Sequence, residues 1–530
     1  MHNNLYKHVK SFLLPCLAFS AAVGFISAFI ITAFKIAAKE VIDLSTKIYA
    51  SVRENPEWLP IMILGAAAIG LIASFILSRS RSCRGGGIPT SVAAIRGIVS
   101  FRWFASVFVL PFSALLSFLC GLPLGTEGPC VQMGTAIGDG VVKCFGSENQ
   151  KGWRRYVMTG GASAGFSIAT ASPITAVLLS IEELHKHFSP MLLTVASISV
   201  VASQITVQAL SFIGIESVKL FEFSTLPSID AKLIFVPLIV GVACGVASIL
   251  FTKLYHLVDN LMHRLLKKVP IVIVFPILFA CVSVVGFFLA DALGTGHSLV
   301  EVFTQSKTAW YLLITVFLIR AIGMMSSNTA GVSGGVFLPT LAFGAIIGAL
   351  SAEAMTALGW ISSDHYILIV ILGVTAFLGA TSRIPITACV FAIEALGGIN
   401  NILPLIIATT IALLIVETSG LEDFTDTIIA AKVRSINKGK KPTTVEASLT
   451  VSKNAFVVGK ELRDVLWPNA CVVVSFERAK ENKGSVWIAE GDVITVHYTT
   501  YDAAATYKEI AVLVGEQTAQ IYRTLHPDIN

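Results

Sequence analysis

The chain has 530 residues, 55% hydrophobic and only 13% charged, with 38 Lys and Arg against 33 Asp and Glu for a net charge of +5. Soluble domains carry about 25% charged residues, so this composition excludes an ordinary soluble protein, and a mean hydropathy of +0.78 points to a polytopic helical membrane protein. In chain order, apolar stretches fall near 11–37, 59–78, 103–123, 172–182, 190–213, 232–252, 270–293, 308–326, 336–358, 366–395 and 401–418. A crossing helix needs about 20 such residues. Several stretches are shorter or are broken by Gly and Pro, as where half-helices meet inside a protein-lined cavity. The run from Leu13 to Ile36 is too long for a signal-peptide core. Lys7 and Lys10 precede the first span. Arg79, Arg81 and Arg84 form one basic loop, and Lys151, Arg154 and Arg155 another. Lys432, Arg434, Lys438, Lys440 and Lys441 follow the last span. The positive-inside rule places these segments, and with them both termini, in the cytoplasm. This topology accounts for the net charge and gives no case for nucleic-acid binding. The nine cysteines form no CxxC pair and read as buried free thiols, with neither zinc nor disulfides expected.

The chain is internally duplicated. Gly125-Thr126-Glu127-Gly128-Pro129 and the following Gly134 and Gly138 recur as Gly335 to Pro339 with Gly344 and Gly348. Pro173-Ile174-Thr175-Ala176 through Glu182 recurs as Pro385-Ile386-Thr387-Ala388 through Glu394. The offsets are 339 − 129 = 210 and 385 − 173 = 212. The two repeats run roughly over 11–213 and 232–432, and membrane proteins built this way bind substrate between their halves. Where one copy carries Glu127, the other carries Phe337. Glu182 has its mate in Glu394, so it reads as a shared structural carboxylate. Glu183 faces Ala395 across the repeat and is the unpaired acid, which suits a proton role. The adjacent His185, Lys186 and His187 read as a polar cytoplasmic helix end.

Residues 433–444 are a basic linker, and 445–530 read as a small cytoplasmic α/β domain. Strands are expected at Val445–Val451, Ala470–Phe476, Ser485–Ile488 and Asp492–Tyr498. A short helical stretch is expected at Lys460–Leu466 and a closing helix at Asp502–Val514. The order Val-Gly-Lys-Glu-Leu, a strand, then Gly491-Asp492-Val493-Ile494 resembles the TrkA-C (RCK-C) domain of ion-transport systems. That resemblance implies dimerisation and a regulatory ligand site, for a nucleotide such as cyclic di-AMP.

Three loops share one grammar of glycines, a proline and an apolar helix: Gly85-Gly86-Gly87-Ile88-Pro89, Gly125–Pro129 and Gly334–Pro339. Helix N-termini carry unpaired N–H donors and partial positive charge, so these loops point to anion coordination rather than to a cation site. In order, they resemble the GSGIP, G(K/R)EGP and GxFxP motifs of the CLC chloride channels and transporters, over about residues 10–432. The resemblance implies a homodimeric, all-α inverted-repeat membrane domain with broken helices and a separate pore in each subunit. Glu127 matches the family's external gating glutamate and Glu183 its internal proton-transfer glutamate. The anion would be held by Gly85, Gly86, Gly87, Ile88, Gly335, Val336 and Phe337, with Phe424 at the position of the pore tyrosine. Gly86 replaces the usual serine, and Phe424 cannot donate a hydrogen bond. These changes leave backbone donors and apolar walls, and Thr425 is a candidate replacement hydroxyl.

The function expected is proton-coupled chloride antiport in the inner membrane, without catalytic chemistry, cofactor or metal. The alternatives are a passive anion channel of the same fold, a fluoride- or nitrate-handling variant, or a ligand sensor built around the tail.

Overall fold

The computed structural model describes residues 14–85, 87–99, 102–146, 148–216, 220–221, 233–305, 308–437, 441–468, 470–479, 487–515 and 522–525. The first apolar run becomes α1, Leu14–Glu54, continuing well past its apolar part. Its buried positions Val23, Ser27, Ile31, Phe34 and Ala38 recur at helical spacing, while Leu14, Phe25, Phe29 and Ile36 are exposed. There follow α2 (Leu59–Arg79), α3 (Ile88–Ile95), α4 (Trp103–Leu119), α5 (Glu127–Phe145), α6 (Arg154–Thr170), α7 (Pro173–Leu179) and α8 (Pro190–Phe212). A π-helical turn, Ser180–His185, extends α7. The second half holds α9 (Phe235–Lys268), α10 (Ile271–Phe288), α11 (His297–Gln305), α12 (Trp310–Ala330), α13 (Phe337–Ala357), α14 (Tyr366–Thr381), α15 (Pro385–Ala395), α16 (Ile402–Thr418) and α17 (Phe424–Ile436). Among the described residues, eight helices are long and apolar enough to cross a membrane.

Four expectations are corrected here. The stretch 366–395 is two helices, α14 and α15, separated by a break at Arg383, whose φ is +55°. Arg154 and Arg155 open α6 instead of lying in a loop, and α17 runs four residues into the expected linker, to Ile436. Of the thiols, Cys16, Cys83, Cys120, Cys130 and Cys244 are buried, but Cys144 and Cys281 are exposed.

The duplication reappears as reciprocal contacts. Gly125 N–H donates to the Gly335 carbonyl, and Gly335 N–H donates back to the Gly125 carbonyl, both at 2.7 Å. The Glu182 carboxylate accepts from Ile386 N–H (3.2 Å) and Thr387 N–H (2.7 Å) at the start of α15. Glu394 accepts from Ile174 N–H (2.9 Å) and Thr175 N–H (2.8 Å) at the start of α7. Exchanges in which i meets j and the mate of j meets the mate of i require a two-fold relation between the halves. Both caps satisfy first-turn N–H groups that a helix cannot pair itself. Small residues bring the central helices together: a Cβ on Gly134 of α5 would lie 2.0 Å from the Gly161 carbonyl oxygen of α6. The same pairing recurs between Gly344 of α13 and Gly373 of α14.

After α17 the chain forms a four-stranded antiparallel sheet of β1 (Thr443–Thr450), β2 (Cys471–Glu477), β3 (Val493–Thr500) and β4 (Tyr522–Leu525), ordered β2-β3-β1-β4. Val445, Ala447 and Leu449 of β1 and Ile494, Val496 and Tyr498 of β3 bury one face, with helix α18 (Ala503–Val514) supplying Tyr507, Ile510 and Val514 to the same core. Asp502 caps α18, accepting from Ala505 N–H at 3.0 Å. Only a 3-10 turn, Leu462–Asp464, occupies the expected helix at Lys460–Leu466. The expected strand at Ser485–Ile488 falls partly outside the described residues, and Trp487 and Ile488 are not in a strand. β4 was not foreseen.

The tail domain sits on the start of α6. Phe456 packs edge-on to Trp153 with ring centroids 5.4 Å apart. Tyr156 Oη donates to the Asp464 carbonyl and accepts from Leu466 N–H at 3.0 Å. Arg155 pairs with Glu509 at 2.5 Å and donates to the Leu466 carbonyl at 3.3 Å. A cavity of about 360 Å³ lies at this joint, between Arg96, Arg155 and His185–His187 on one side and Val465–Pro468 on the other.

Candidate functional site

The three glycine loops converge. A Cβ on Gly128 would fall 2.5 Å from Gly335 Cα and 3.0 Å from Gly87 Cα, so backbone meets backbone and no side chain fits between. Gly87 also has a φ of +127°, which L side chains rarely adopt. From this knot the chain enters three helices, α3 at Ile88, α5 at Glu127 and α13 at Phe337. The prolines Pro89, Pro129 and Pro339 follow in the first turn, where a missing N–H costs nothing.

Beneath the knot is a cavity of about 20 Å³, room for one water-sized or ion-sized occupant. Its walls include Ile88 and Pro89 of α3, Val336, Phe337 and Thr340 at the start of α13, and Glu183, Phe424 and Thr425. The N-termini of α3, α13 and α17 therefore border it, each contributing partial positive charge and first-turn N–H groups without an intrahelical acceptor.

The glycines do something different from what their sequence suggests. Gly85 N–H donates to the Gly331 carbonyl (3.0 Å), Gly87 N–H to Gln132 Oε1 (2.8 Å) and Gly335 N–H to the Gly125 carbonyl. Their amides bind the loops to one another, which corrects the expectation that they face the ion. Gly86 lies outside the described residues. Ile88, Val336, Phe337 and Phe424 do line the cavity.

Glu127 is fully buried. Thr126 Oγ1 donates to its Oε1 at 2.8 Å, and its Oε2 has no hydrogen-bond partner. That oxygen lies over Gly125, where a Cβ would come within 2.5 Å of it. Glu183 is 3% exposed; Thr425 Oγ1 donates to its Oε1, and its Oε2 too is unpartnered. The backbone around Glu183 is fixed by Arg96, which donates to the carbonyls of Glu183 and Leu184 at 3.0 Å and pairs with Asp426 at 3.1 Å. Lys186 pairs with Asp423 and Asp426, and His185 Nε2 bonds Thr159 Oγ1 at 2.8 Å. Lys186 and His187 are exposed at this polar helix end, while His185 and Lys186 are tied into the fold by these bonds.

Phe424 is 1% exposed and packs against Phe251 and Tyr255 at 5.2 and 5.0 Å. Phe424 supplies the apolar wall and Thr425 stands in the wall as the candidate hydroxyl, while Glu183 and Thr340 add polar groups that the sequence did not place there.

Sequence reasoning missed three supports. Gln132 ties Gly87 to the Ser82 carbonyl (3.0 Å). Lys432, read as part of a basic tail, donates to the Arg84 carbonyl (2.9 Å) and Thr90 Oγ1 (2.6 Å) beside the first glycine loop. Lys35 of α1 is buried and donates to the Ala169 and Ile168 carbonyls at the C-terminal end of α6 (2.6 and 3.2 Å), within electrostatic reach of Glu127. Polar residues inside apolar helices were the signal for Lys35 and Gln132.

The profile of the voltage gated chloride channel family matches residues 69–417, which hold all three loops and both glutamates. The chain belongs to that family. Among curated CLC proteins it is 27% identical over 407 residues to the H(+)/Cl(-) exchange transporter ClcA of Vibrio campbellii, covering 76% of this chain and 86% of that protein. Among solved CLC structures it is similar to a slow cyanobacterial Cl-/H+ antiporter, with a TM-score of 0.72 and 21% identity over 80% of this chain and 99% of the other. A CLC-type fluoride/proton antiporter aligns with a TM-score of 0.62 and 17% identity, over 77% and 96% of the two chains. These two likenesses place the helical part in the CLC fold. The sheet domain at the C-terminus lies beyond the matched family region.

Proposed function

We propose that this protein is an anion antiporter that exchanges chloride for protons across a membrane. The observation that carries this reading is one small cavity bordered by the N-termini of α3, α13 and α17 and by the buried Glu183 carboxylate, which brings an anion site and a proton-binding group together. The names of the relatives support the same assignment. Glu127 acts as the external gate. As a carboxylate among helix starts it competes with the anion, and on protonation it withdraws, carrying the proton with it. Glu183 exchanges protons with the cytoplasm. An ionisable group at membrane depth costs roughly 2.5–3.5 kcal/mol on insertion scales, a cost more readily explained by transport than by structure.

The test is proton movement in liposomes under a chloride gradient without a pH gradient. Uphill proton flux is expected, lost in Glu127→Ala and in Glu183→Gln while anion flux persists. Proton pumping that survives Glu127→Ala removes the gate assignment. A second reading, passive anion flux, is favoured by Phe424, which has no hydroxyl to offer an anion; chloride flux without protons in the wild type would select it. Fluoride or nitrate flux without chloride flux would select the other variants of the fold.

In this reading the protein is an inner-membrane homodimer with both termini cytoplasmic. Exposed Val201 and Ile205 on α8 and Ile406 and Leu414 on α16 suit either lipid or a second copy, and cross-linking in native membrane distinguishes them. The tail is assigned as a TrkA-C (RCK-C)-like regulatory domain. A nucleotide ligand such as cyclic di-AMP rests on that resemblance alone, and calorimetry on the full-length protein tests it.

A further inference from the structure

The sequence puts Phe424 where the family has a hydroxyl-bearing pore residue, yet the wall of the cavity is not without a side-chain hydroxyl. Asp423 caps α17, accepting from Asp426 N–H at 2.6 Å, and so fixes the first turn in which Thr425 stands. Thr425 lines the same cavity as Ile88, Val336 and Phe337 and donates its only hydroxyl proton to Glu183 Oε1. Thr340, also in the wall, donates to the Val336 carbonyl of its own helix at 2.8 Å. Among the described residues, Thr425 is the cavity hydroxyl joined to a carboxylate. The second Glu183 oxygen is buried without a partner, so the carboxylate depends on Thr425 for its side-chain hydrogen bond.

A hydroxyl has one proton and two lone pairs. While Glu183 is ionised, the Thr425 proton points at it, and the Thr425 oxygen presents lone pairs to the cavity, which opposes an anion there. When Glu183 takes a proton from a cytoplasmic hydronium ion, whose O–H bond breaks and which leaves as water, its new O–H donates to the Thr425 oxygen. The Thr425 proton is then released to rotate toward the cavity and donate to an anion. The only bond made is the carboxyl O–H; Thr425 keeps its own proton throughout.

We propose that Thr425 is the positioning residue that couples the proton state of Glu183 to anion binding in the central cavity, by reversing the direction of one hydrogen bond. This rests on the exchanger reading above. The charged groups facing Glu183 are Asp423 at the N-cap of α17, Lys186 after the π turn and Arg96 at the C-cap of α3, with Asp426 of α17 paired to Arg96 behind them. Arg96 pairs with Asp426 and Lys186 with both aspartates, so each of these charges is answered by another.

The experiment compares wild type, Thr425→Val and Thr425→Ser in two readouts on the full-length protein: the proton-to-chloride ratio in liposomes, and chloride affinity by calorimetry across pH. In the wild type, chloride affinity should rise as pH falls. In Thr425→Val, that pH dependence should flatten and the proton-to-chloride ratio fall about tenfold, the scale of a lost hydrogen bond to a charged group, because proton flux drops by more than chloride flux. Thr425→Ser should restore both; a purely structural role predicts flux and ratio that do not separate in this way. A wild-type ratio and pH profile in Thr425→Val overturns the assignment. If Thr425→Val does not fold, Thr425→Ala makes the same comparison. Should the wild type move no protons, the exchanger reading has failed. The affinity profile then decides for Thr425 by itself: a flat wild-type profile overturns it, and a pH dependence lost in Thr425→Val supports it.

Discussion

Gly128 shows how much of the site is decided by one missing atom. Its neighbours at the position of a Cβ are the backbones of Gly335 and Gly87, at 2.5 and 3.0 Å, so nothing flexible can yield. Gly128→Ala should force the two repeats apart at the point where three helices begin. Overpacking of a core costs about 1–3 kcal/mol, and here the displaced atoms adjoin Ile88 and Val336 in the cavity wall. Lower thermal stability in detergent, together with chloride affinity reduced well beyond the stability loss, is the expected outcome. A variant that binds chloride normally would mean that the loops can separate without consequence. Glu127 and Glu183 pose a different residue-scale problem. Each has one carboxylate oxygen held by a threonine and one left without a partner, an arrangement that leaves room for a second protonation state.

At the scale of elements, the exchange of caps between α7 and α15 holds the two halves in register. Glu182 serves the start of α15, and Glu394 serves the start of α7 and the Thr175 hydroxyl as well (2.6 Å). Hydrogen bonds to a charged group are worth about 1.5–3 kcal/mol. Glu394→Ala and Glu182→Ala should each destabilise by about that amount, and the double variant by less than the sum if the two caps act through one shared packing of α7 on α15. Thermal denaturation of the four proteins checks this, and strict additivity would make the caps independent. The equivalence of the two carboxylates was legible in the sequence, because the offset of 212 makes Glu394 the mate of Glu182, but not the exchange of their caps. The apolar helices were legible too. The helix after Pro129, α5, was legible only from its loop, and α6 was not, because glycine, serine and alanine dominate where it crosses α5 and hydropathy does not register such a sequence as buried. The partners of Gln132 and Lys35 lie 45 and 134 residues away, and no local pattern announces a contact of that kind. The glycine loops were found for a sound reason and given the wrong task. Glycine permits both an exposed amide and a close backbone crossing, and only the fold says which.

For the whole molecule, the joint between tail and membrane half contains a charge placed at a disadvantage. Lys460 is buried, donates to the Phe456 carbonyl and stands 3.6 Å from the centre of the Phe456 ring and 5.8 Å from that of Trp153. Removal from water pushes its ammonium down to about 7. The unfolded chain therefore holds a proton that the folded joint gives up between pH 7 and the ordinary lysine range near 10.4. Stability of the docked tail should rise with pH through that window, by about 1.4 kcal/mol per unit where the titration is fully expressed, and the destabilising contribution is fully present below pH 7. Thermal unfolding between pH 7 and 9 should show this slope, and Lys460→Met should flatten it. An unchanged slope in the variant would assign the pH dependence elsewhere.

The pair of 2.7 Å bonds between Gly125 and Gly335 also bears on how such a protein can move. Two backbone segments without side chains, each amide satisfied by the other's carbonyl in the protein interior, are costly to part where no water waits to replace the bonds. In the proposed exchange the frame around the cavity would then act as a stator. Each cycle would turn on the rotation of a few side chains and the traffic of single protons, without a sweep of one half of the protein against the other.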